Sequence, residues 1–325
     1  MADFLQEPFA PWFIRVTALF FGAAWGSFFN VAIYRWPRGL SVVTPPSFCP
    51  GCERPVPVHL NIPVISYFLL RGKTACCGSR LSPRYPLIEA TGALLCLGVA
   101  ERYLIEAPAT MGLVEALMIA LTYFIFVGGL LIASVVDLDF MEIPEEVSLP
   151  VAALGLATAT LRAPDSLDAM VLGAGGGYLL VQVPFVWIYE RLTGRRGMGE
   201  GDSKLMLMIG AFVGWQGVIF SLLAGATQGM VAVIIAKLLG KNLTADPPAE
   251  EDAQGANAEA GEGDDPDGSE GSRPGDGEPG DDAYLDEPPP RYFGHLKVPF
   301  GPFLALSAAE FLFFGDRLVD LFLLR

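Results

Sequence analysis

The sequence predicts an all-α polytopic integral membrane protein with about eight transmembrane helices, one cysteine-containing cytoplasmic loop and a disordered acidic insert. Two observations predict this class. The chain has 325 residues, of which 52% are hydrophobic, and its mean hydropathy is +0.44. Its apolar residues also form long blocks, and a helix that crosses hydrocarbon needs about 20 consecutive apolar residues. Ordinary soluble domains are excluded by this composition.

The apolar blocks mark the predicted spans. They lie at 10–33, 86–104, 112–136, 147–162, 168–189, 203–219, 218–239 and 298–315. The sixth and seventh blocks are separated only by Gly214-Trp215-Gln216-Gly217, which predicts a tight turn. The first block has no basic segment before it and no small-residue cleavage site, so we expect it to be retained as a helix and not removed as a signal peptide.

The predicted organisation has five parts. These are a first transmembrane helix at 1–34, a cytoplasmic cysteine loop at 35–85, a transmembrane core at 86–240, a disordered acidic insert at 241–292, and a last transmembrane helix at 293–325.

Most of the net charge belongs to the insert. The formal charge is −15, and the segment 246–287 alone holds sixteen acidic residues and one basic residue, Arg273. Twenty acidic and twenty basic residues remain elsewhere, so the rest of the chain is neutral. A segment this acidic and poor in apolar residues cannot bury a core, which predicts a solvated linker. A docking or regulatory role for it stays open.

Lysine and arginine predict the orientation, because cytoplasmic connections carry an excess of them. The connection after the first span holds seven such residues, whereas the next has Arg102 and the one after the fourth span has Arg162. Basic residues return before the sixth span and beside the acidic insert. The basic side is therefore predicted to be cytoplasmic, with both chain ends outside. The connection at 137–146 is an exception, because the alternation places it on the cytoplasmic side although it has no basic residue.

Two aspartates stand at the ends of predicted spans. Asp137 ends the third span and Asp202 begins the sixth, so the alternation places both at the cytoplasmic face. A charge at this boundary is costly unless it is solvated, paired or used. Two close carboxylates can share one proton, so that one activates water while the other hydrogen-bonds a scissile carbonyl. The alternatives are that Asp202 only caps a helix and that Asp137 is an ordinary interfacial residue.

Glycines and charges accompany the aspartates. The glycines before Asp202 permit close approach of another chain, such as an extended substrate. Among the nearby charges, Arg84 is a candidate partner of Glu89, and we expect Lys204 to offset Asp202 and Glu200 or to contact phospholipid.

Four cysteines of the 35–85 loop are candidate metal ligands. Cys49-Pro50-Gly51-Cys52 has the spacing of two thiolates that bind one ion. The second pair, Cys76-Cys77, is adjacent, and Cys77 is its better ligand because Gly78 follows. Cys76 or His59 is the candidate fourth ligand of a structural zinc site; alternatively, Cys76 is an ordinary thiol and the site is incomplete. A cytoplasmic loop argues against a disulfide.

Several sequence blocks, in the order in which they occur along the chain, resemble those of the bacterial prepilin peptidases, also called type IV leader peptidases. The resemblance covers nearly the whole chain except the insert. The matching blocks are Gly26 to Arg35, Cys49 to Cys52, Asn61 to Tyr67, Leu69 to Lys73, Ser82 to Glu89, Asp137 to Pro144, Gly197 to Leu205, and Val298 to Ala305.

The resemblance implies an aspartic endopeptidase that cuts after a glycine, between a short basic leader and an apolar helix. It implies Asp137 and Asp202 as the catalytic pair, with the active-site segments supported by Gly197, Gly199, Gly201 and Pro144. It also implies N-methylation of the new N-terminus with S-adenosylmethionine, associated with Gly72 and Lys73 of the loop. One departure is Thr74, which stands where the family has the first cysteine of its second pair.

The expected partners are prepilins, pseudopilins of type II secretion and the lipid bilayer, with no nucleic acid. The expected location is the bacterial inner membrane. Three alternatives stay open: a peptidase without methylation, an ion-coupled transporter that uses the two acids, and an inactive scaffold. Transporter acids usually lie near the bilayer midplane, whereas these lie at span ends.

Overall fold

The computed structural model describes residues 9–44, 47–49, 51–52, 54–57, 60–163, 166–194, 198–239 and 299–322. Within these ranges the chain is helical, and its only β pairing consists of two isolated bridges. The prediction of a mostly α-helical protein is therefore confirmed. The ten α-helices of the described residues are α1 Ala10–Arg35, α2 Ile65–Leu69, α3 Arg84–Ala100, α4 Leu113–Phe140, α5 Glu145–Ala157, α6 Ala159–Arg162, α7 Leu167–Val181, α8 Tyr189–Thr193, α9 Glu200–Leu238 and α10 Gly301–Phe322.

Four helical segments of the described chain are long and apolar enough to cross a membrane. They are Ala10–Arg38, Leu113–Phe140, Leu167–Thr193 and Glu200–Leu238, and Gly301–Gly315 is a shorter apolar helix. The other predicted spans are shorter helices: 86–104 forms α3 with the π-helical turn Glu101–Ile105, and 147–162 is divided between α5 and α6. The count of eight spans stays a prediction.

The packing of α4 on α9 sets the position of both aspartates. The rings of Phe126 and Phe212 stack with centroids 4.2 Å apart and planes at 6°. Asp137 follows Phe126 by eleven residues and Asp202 precedes Phe212 by ten, so each lies about 15 Å from the stacked pair along its helix. Asp137 and Asp202 also lie close enough to repel each other, so the two segments run antiparallel and both aspartates lie at the same end of the packed pair.

Small residues bring other helices together. A Cβ placed on Gly26 of α1 would lie 2.6 Å from the Cα atom of Glu89 in α3, and one on Gly173 of α7 would lie 2.5 Å from the backbone of Gly214 in α9. Such distances leave no room for a side chain. These helices therefore pack backbone against backbone, as small residues allow in membrane proteins.

Helix α9 is interrupted where a turn was predicted. Gly214 has φ 70° and ψ −176°, which is not helical, and glycine adopts this conformation without a steric penalty. Arg162 donates hydrogen bonds to the carbonyls of Ala211 at 2.9 Å and Phe212 at 3.2 Å, just before the interruption. It also donates to Gly155 at the end of α5 at 2.6 Å. One cation therefore satisfies carbonyls near two helix ends, where a positive charge is favourable.

The chain divides into two units. One comprises 1–232 with 299–325 and contains every site discussed below; the other comprises 233–298. The predicted acidic insert at 241–292 lies outside the described residues.

Candidate active site

The structure brings Asp137 and Asp202 together. Asp137 lies in the last turn of α4 and Asp202 in the first turn of α9. Both are buried, with 6% and 8% of their surfaces exposed, and their charges repel each other when both are ionised. Two buried carboxylates that repel each other cannot both stay ionised without cost, which favours sharing a proton.

The first turn of α10 completes the surroundings of Asp137. The backbone N–H of Gly301 donates a hydrogen bond to Asp137 Oδ2 at 2.8 Å. A Cβ at position 301 would lie only 2.7 Å from that same oxygen. The N-terminus of a helix favours a negative charge, so this contact both orients and stabilises the Asp137 carboxylate. Sequence reasoning assigned Val298 to Ala305 to the last helix but missed Gly301 as part of the site.

The segment before Asp202 folds back on the aspartate. The N–H of Gly199 donates to Asp202 Oδ2 at 3.3 Å, and the N–H of Asp202 donates to the Gly199 carbonyl at 3.2 Å. At Gly201, a Cβ would lie 2.9 Å from the Cβ of Ile143. Gly199 therefore contacts Asp202 and Gly201 packs against Ile143, whereas Gly197 lies outside the described residues.

A turn between α4 and α5 places Ile143 between the two aspartate segments. Met141 ends α4 with φ 54°, and its N–H donates to the Asp137 carbonyl at 2.9 Å. Pro144 then begins α5 from an extended conformation. Ile143 is buried against Gly201, and its Cδ1 would lie 3.2 Å from a Cβ at Gly301. Sequence reasoning included Pro144 as support but missed Ile143, which fills the apolar side of the site.

The charged neighbours pair differently from our expectation. Arg84 forms a two-pronged ion pair with Asp139 and not with Glu89. The carboxylate of Glu89 instead accepts the backbone N–H of Val64 at 2.6 Å, so it is already engaged by the loop. Lys204, which was expected to offset Asp202 and Glu200 or contact phospholipid, forms an ion pair with Glu145 at the start of α5.

The four loop cysteines form one cluster. Two short turns carry them, closed by bridges between Phe48 and Pro55 and between Lys73 and Arg80. The sulfur atoms of Cys49, Cys52, Cys76 and Cys77 all lie within 4.8 Å of one another. A tetrahedral ion with metal–sulfur bonds of about 2.3 Å places its ligand sulfurs roughly 3.8 Å apart. The donor set therefore fits a metal ion, while His59, the other candidate ligand, lies outside the described residues.

Cys76 lies within the cluster, and Thr74 lies beside it. The Cys76 sulfur lies 3.2 Å from the Cys52 sulfur, while the Thr74 hydroxyl lies 3.3 Å from the Cys77 sulfur. Hydrogen bonds from Ser79 and then Thr74 lower the pKa of Cys77 to about 6, and the neighbouring Cys52 raises the pKa of Cys76 to about 12. A thiolate is the form that binds a metal, and the lowered pKa favours this form at Cys77.

Gly72 and Lys73 join α2 to the second cysteine turn. Gly72 has φ 68°, and its N–H donates to the Tyr67 carbonyl at 2.9 Å. The N–H of Lys73 donates to the Leu70 carbonyl at 3.1 Å. The structure thus assigns Gly72 a backbone role in the turn, and Lys73 presents its side chain from that turn.

Two family models match the chain. The model of the bacterial peptidase A24 N-terminal domain matches residues 20–103, and the model of the type IV leader peptidase family matches residues 124–234. Together they cover more than half of the chain. The chain belongs to the type IV leader peptidase family. The first match contains all four clustered cysteines and the second contains both aspartates.

Curated relatives of this leader peptidase are named prepilin leader peptidase/N-methyltransferase. The protein from Klebsiella pneumoniae is 37% identical over 202 residues, which cover 60% of this chain and 83% of the relative. The protein from Pectobacterium carotovorum is 33% identical over 77% of this chain and 92% of the relative, and that from Pseudomonas aeruginosa is 34% identical over 71% and 84%. No solved structure matches the chain. The predicted resemblance, and the prediction of a peptidase-family enzyme, are confirmed.

Proposed function

We propose that this protein is an aspartic endopeptidase of the bacterial inner membrane, which removes the basic leader of type IV prepilins and pseudopilins after a glycine. The observation that carries the proposal is the meeting of Asp137 and Asp202, buried, at one end of the bundle. The names of the relatives support the substrate class. A site at the cytoplasmic face suits this substrate, because the leader stays in the cytosol while the helix stays in lipid.

The proposed chemistry uses the pair as acid and base. The ionised carboxylate takes a proton from water, and the water oxygen attacks the scissile carbonyl. The protonated carboxylate hydrogen-bonds the carbonyl oxygen, and the carboxyl group that took the proton from water gives it to the leaving amine as the C–N bond breaks. The Gly301 N–H holds the Asp137 carboxylate in place during these steps. The lack of a side chain at Gly199 leaves an extended substrate room beside Asp202, whereas the space at Gly201 is filled by Ile143.

The same proposal includes N-methylation of the new N-terminus. S-adenosylmethionine, when bound, would supply the methyl group: the free amine would form the N–C bond as the S–C bond breaks, releasing S-adenosylhomocysteine and a proton. The relatives' names and the retained cysteine loop support this activity. A structural zinc ion held by Cys49, Cys52, Cys76 and Cys77 would fix the two turns of the loop to each other, and through them the segment that carries Gly72 and Lys73.

Cleavage of a prepilin in membranes tests the aspartic mechanism. Wild type would be compared with Asp137→Asn and Asp202→Asn, which keep the side-chain shape but remove the acid. We expect each variant to lose about 10²- to 10⁴-fold in cleavage rate, the usual contribution of acid–base catalysis. Asp139→Asn is the matched control, because Asp139 lies two residues from Asp137 but pairs with Arg84. It should keep its cleavage rate.

Mass spectrometry of the product distinguishes the peptidase, methylation and transporter hypotheses. A new N-terminus after glycine supports the peptidase, and the added mass of one CH₂ group supports methylation. Normal cleavage by both asparagine variants would overturn the aspartic mechanism. No cleavage by wild type, together with ion flux through reconstituted vesicles, would favour the transporter.

A further inference from the structure

The two halves of the proposed enzyme meet at the end of α4. The contacts described for Asp137 and Asp202 come from α4, α9, α10 and the turn that contains Ile143. The cysteine loop, residues 35–85, instead lies between α1 and α3. For methylation to follow cleavage, the new N-terminus beside Asp137 has to lie within reach of this loop. A direct connection between the loop and α4 is therefore of functional interest.

Arginines at both ends of the cysteine loop contact the end of α4. At the end that leads into α3, Arg84 donates to Asp139 Oδ1 at 3.0 Å and also to Oδ2. At the opposite end, the Arg38 guanidinium lies 5.0 Å from the centre of the Phe140 ring. Asp139 and Phe140 are the second and third residues after Asp137, so these contacts are made within one helical turn of the aspartate.

The middle of the loop is tied to the same helix as Arg84. The Glu89 carboxylate of α3 accepts the N–H of Val64 at 2.6 Å. Val64 has φ 62°, an uncommon conformation for a β-branched residue that persists only where surrounding contacts impose it. The Asn30 side chain of α1 also donates to the Tyr85 carbonyl at 3.2 Å. The loop, α1 and the start of α3 are thus linked, and the Arg84–Asp139 pair links them to α4.

We propose that Arg84 and Asp139 are a positioning pair, which aligns the cysteine loop with Asp137 so that the cleaved N-terminus lies where it is methylated. The inference rests on the proposed function and adds that the two activities are coupled through this ion pair. Because the two side chains are 40% and 20% exposed, the pair adds little to stability. Its planar, two-pronged geometry instead fixes direction, which a single hydrogen bond does not.

A charge exchange tests the pair. Arg84→Glu and Asp139→Arg each place like charges opposite one another, and the double variant restores opposite charges. Methylation would be measured on pre-cut mature pilin in membranes with S-adenosylmethionine, so that it does not depend on cleavage, and cleavage would be measured separately on prepilin. We expect each single variant to lose about tenfold or more in methylation, as small misplacements of reacting groups do. Cleavage should remain within about threefold, and the double variant should recover methylation.

The Arg15–Glu101 ion pair supplies a matched control. It also joins two helical segments through a two-pronged contact, at 2.5 Å and 3.1 Å, with similar exposure of 46% and 34%. Arg15→Glu and Glu101→Arg should change neither activity. Arg84→Lys keeps the charge but loses the two-pronged geometry, so we expect an intermediate loss of methylation. This variant still tests the pair if the charge-reversed proteins do not accumulate in the membrane.

Three outcomes would overturn the inference. The first is an equal loss of cleavage and methylation, which would place the pair in the peptidase site. The second is unchanged methylation in both charge reversals and in Arg84→Lys. The third is an equal effect of the Arg15–Glu101 variants. If wild type itself methylates no pre-cut pilin, the methylation part of the proposed function fails first, and this result is distinguishable from a variant-specific loss.

Discussion

Asp137 and Asp202 meet because helices pack over the whole bundle, whereas the four loop cysteines meet because two short turns face each other. The aspartate site draws on residues 137, 143, 202 and 301, and one of its hydrogen bonds spans 164 positions of the chain. The cysteine cluster lies entirely between residues 49 and 77. One site therefore depends on the register of packed helices, and the other on local backbone conformation.

Glycine serves a different purpose in each region. At Gly301 a Cβ would collide with the Asp137 carboxylate, so the constraint is close approach. At Gly78 a Cβ would meet no atom within 4 Å, but φ is +74°, so the constraint is backbone conformation alone. The same glycine-to-alanine substitution should therefore act strongly in the first region and weakly in the second.

Among the substitutions that test this contrast, the largest effect is expected for Gly301→Ala. The added methyl group forces the Asp137 carboxylate away from the backbone N–H that holds it, and a shift of about 1 Å in a catalytic group can cost roughly a hundredfold in rate. We expect the rate of prepilin cleavage to fall by about that factor, measured in membranes at equal protein abundance.

Gly315→Ala is the control for this substitution, because it lies in the same helix α10 and its Cβ would make ordinary contacts with Phe311 at 3.4 Å and beyond. It should leave cleavage unchanged. Normal cleavage by Gly301→Ala would mean that α10 moves freely away from Asp137. The site would then not depend on the register of the packed helices.

Sequence reasoning predicted the side chains of both regions better than their surroundings. The aspartates and cysteines carry recognisable motifs, and the turn at Gly214 has a glycine to mark it. The Gly301 N–H could not be predicted, because every residue except proline has this donor and nothing in a sequence marks the one that is used. The predicted partner of Arg84, Glu89, was wrong for a related reason. Glu89 is nearer in sequence, but helix packing brings Asp139 into contact with Arg84.

A smaller effect is expected in the cysteine region. Cys76→Ser should remove the metal ion, because structural sites need four protein ligands, and it should lower methylation by about tenfold through loss of the fixed loop. Cleavage should change by less than about twofold, since the contacts described at the aspartates come from other elements. Metal content by elemental analysis and both activities would be measured on the same membranes.

Position 74 offers a direct check on the fourth ligand. The Thr74 hydroxyl already lies 3.3 Å from the Cys77 sulfur, so the double variant Thr74→Cys, Cys76→Ser should bind the metal again. Cys96→Ser, buried in α3 away from the cluster, is the control for cysteine loss and should retain the metal. A Cys76→Ser protein with full metal content would remove Cys76 from the ligand set.

The smallest effect is expected for Gly78→Ala. An alanine at positive φ costs about 1 kcal/mol relative to glycine, which corresponds to about a fivefold weaker retention of the metal in the folded loop. Competition with a chelator of known affinity would measure the retention of the metal.

Gly175→Ala is the control, because Gly175 lies within α7 with open space around it. Alanine favours the helix at this position, and metal retention should not change. A loss of a hundredfold at Gly78 would mean that a contact and not the conformation limits this position, and the contrast between the two regions would fail. No loss at all would mean that the turn can reach the same geometry without a left-handed residue, so that the metal and its ligands alone determine the shape of the loop.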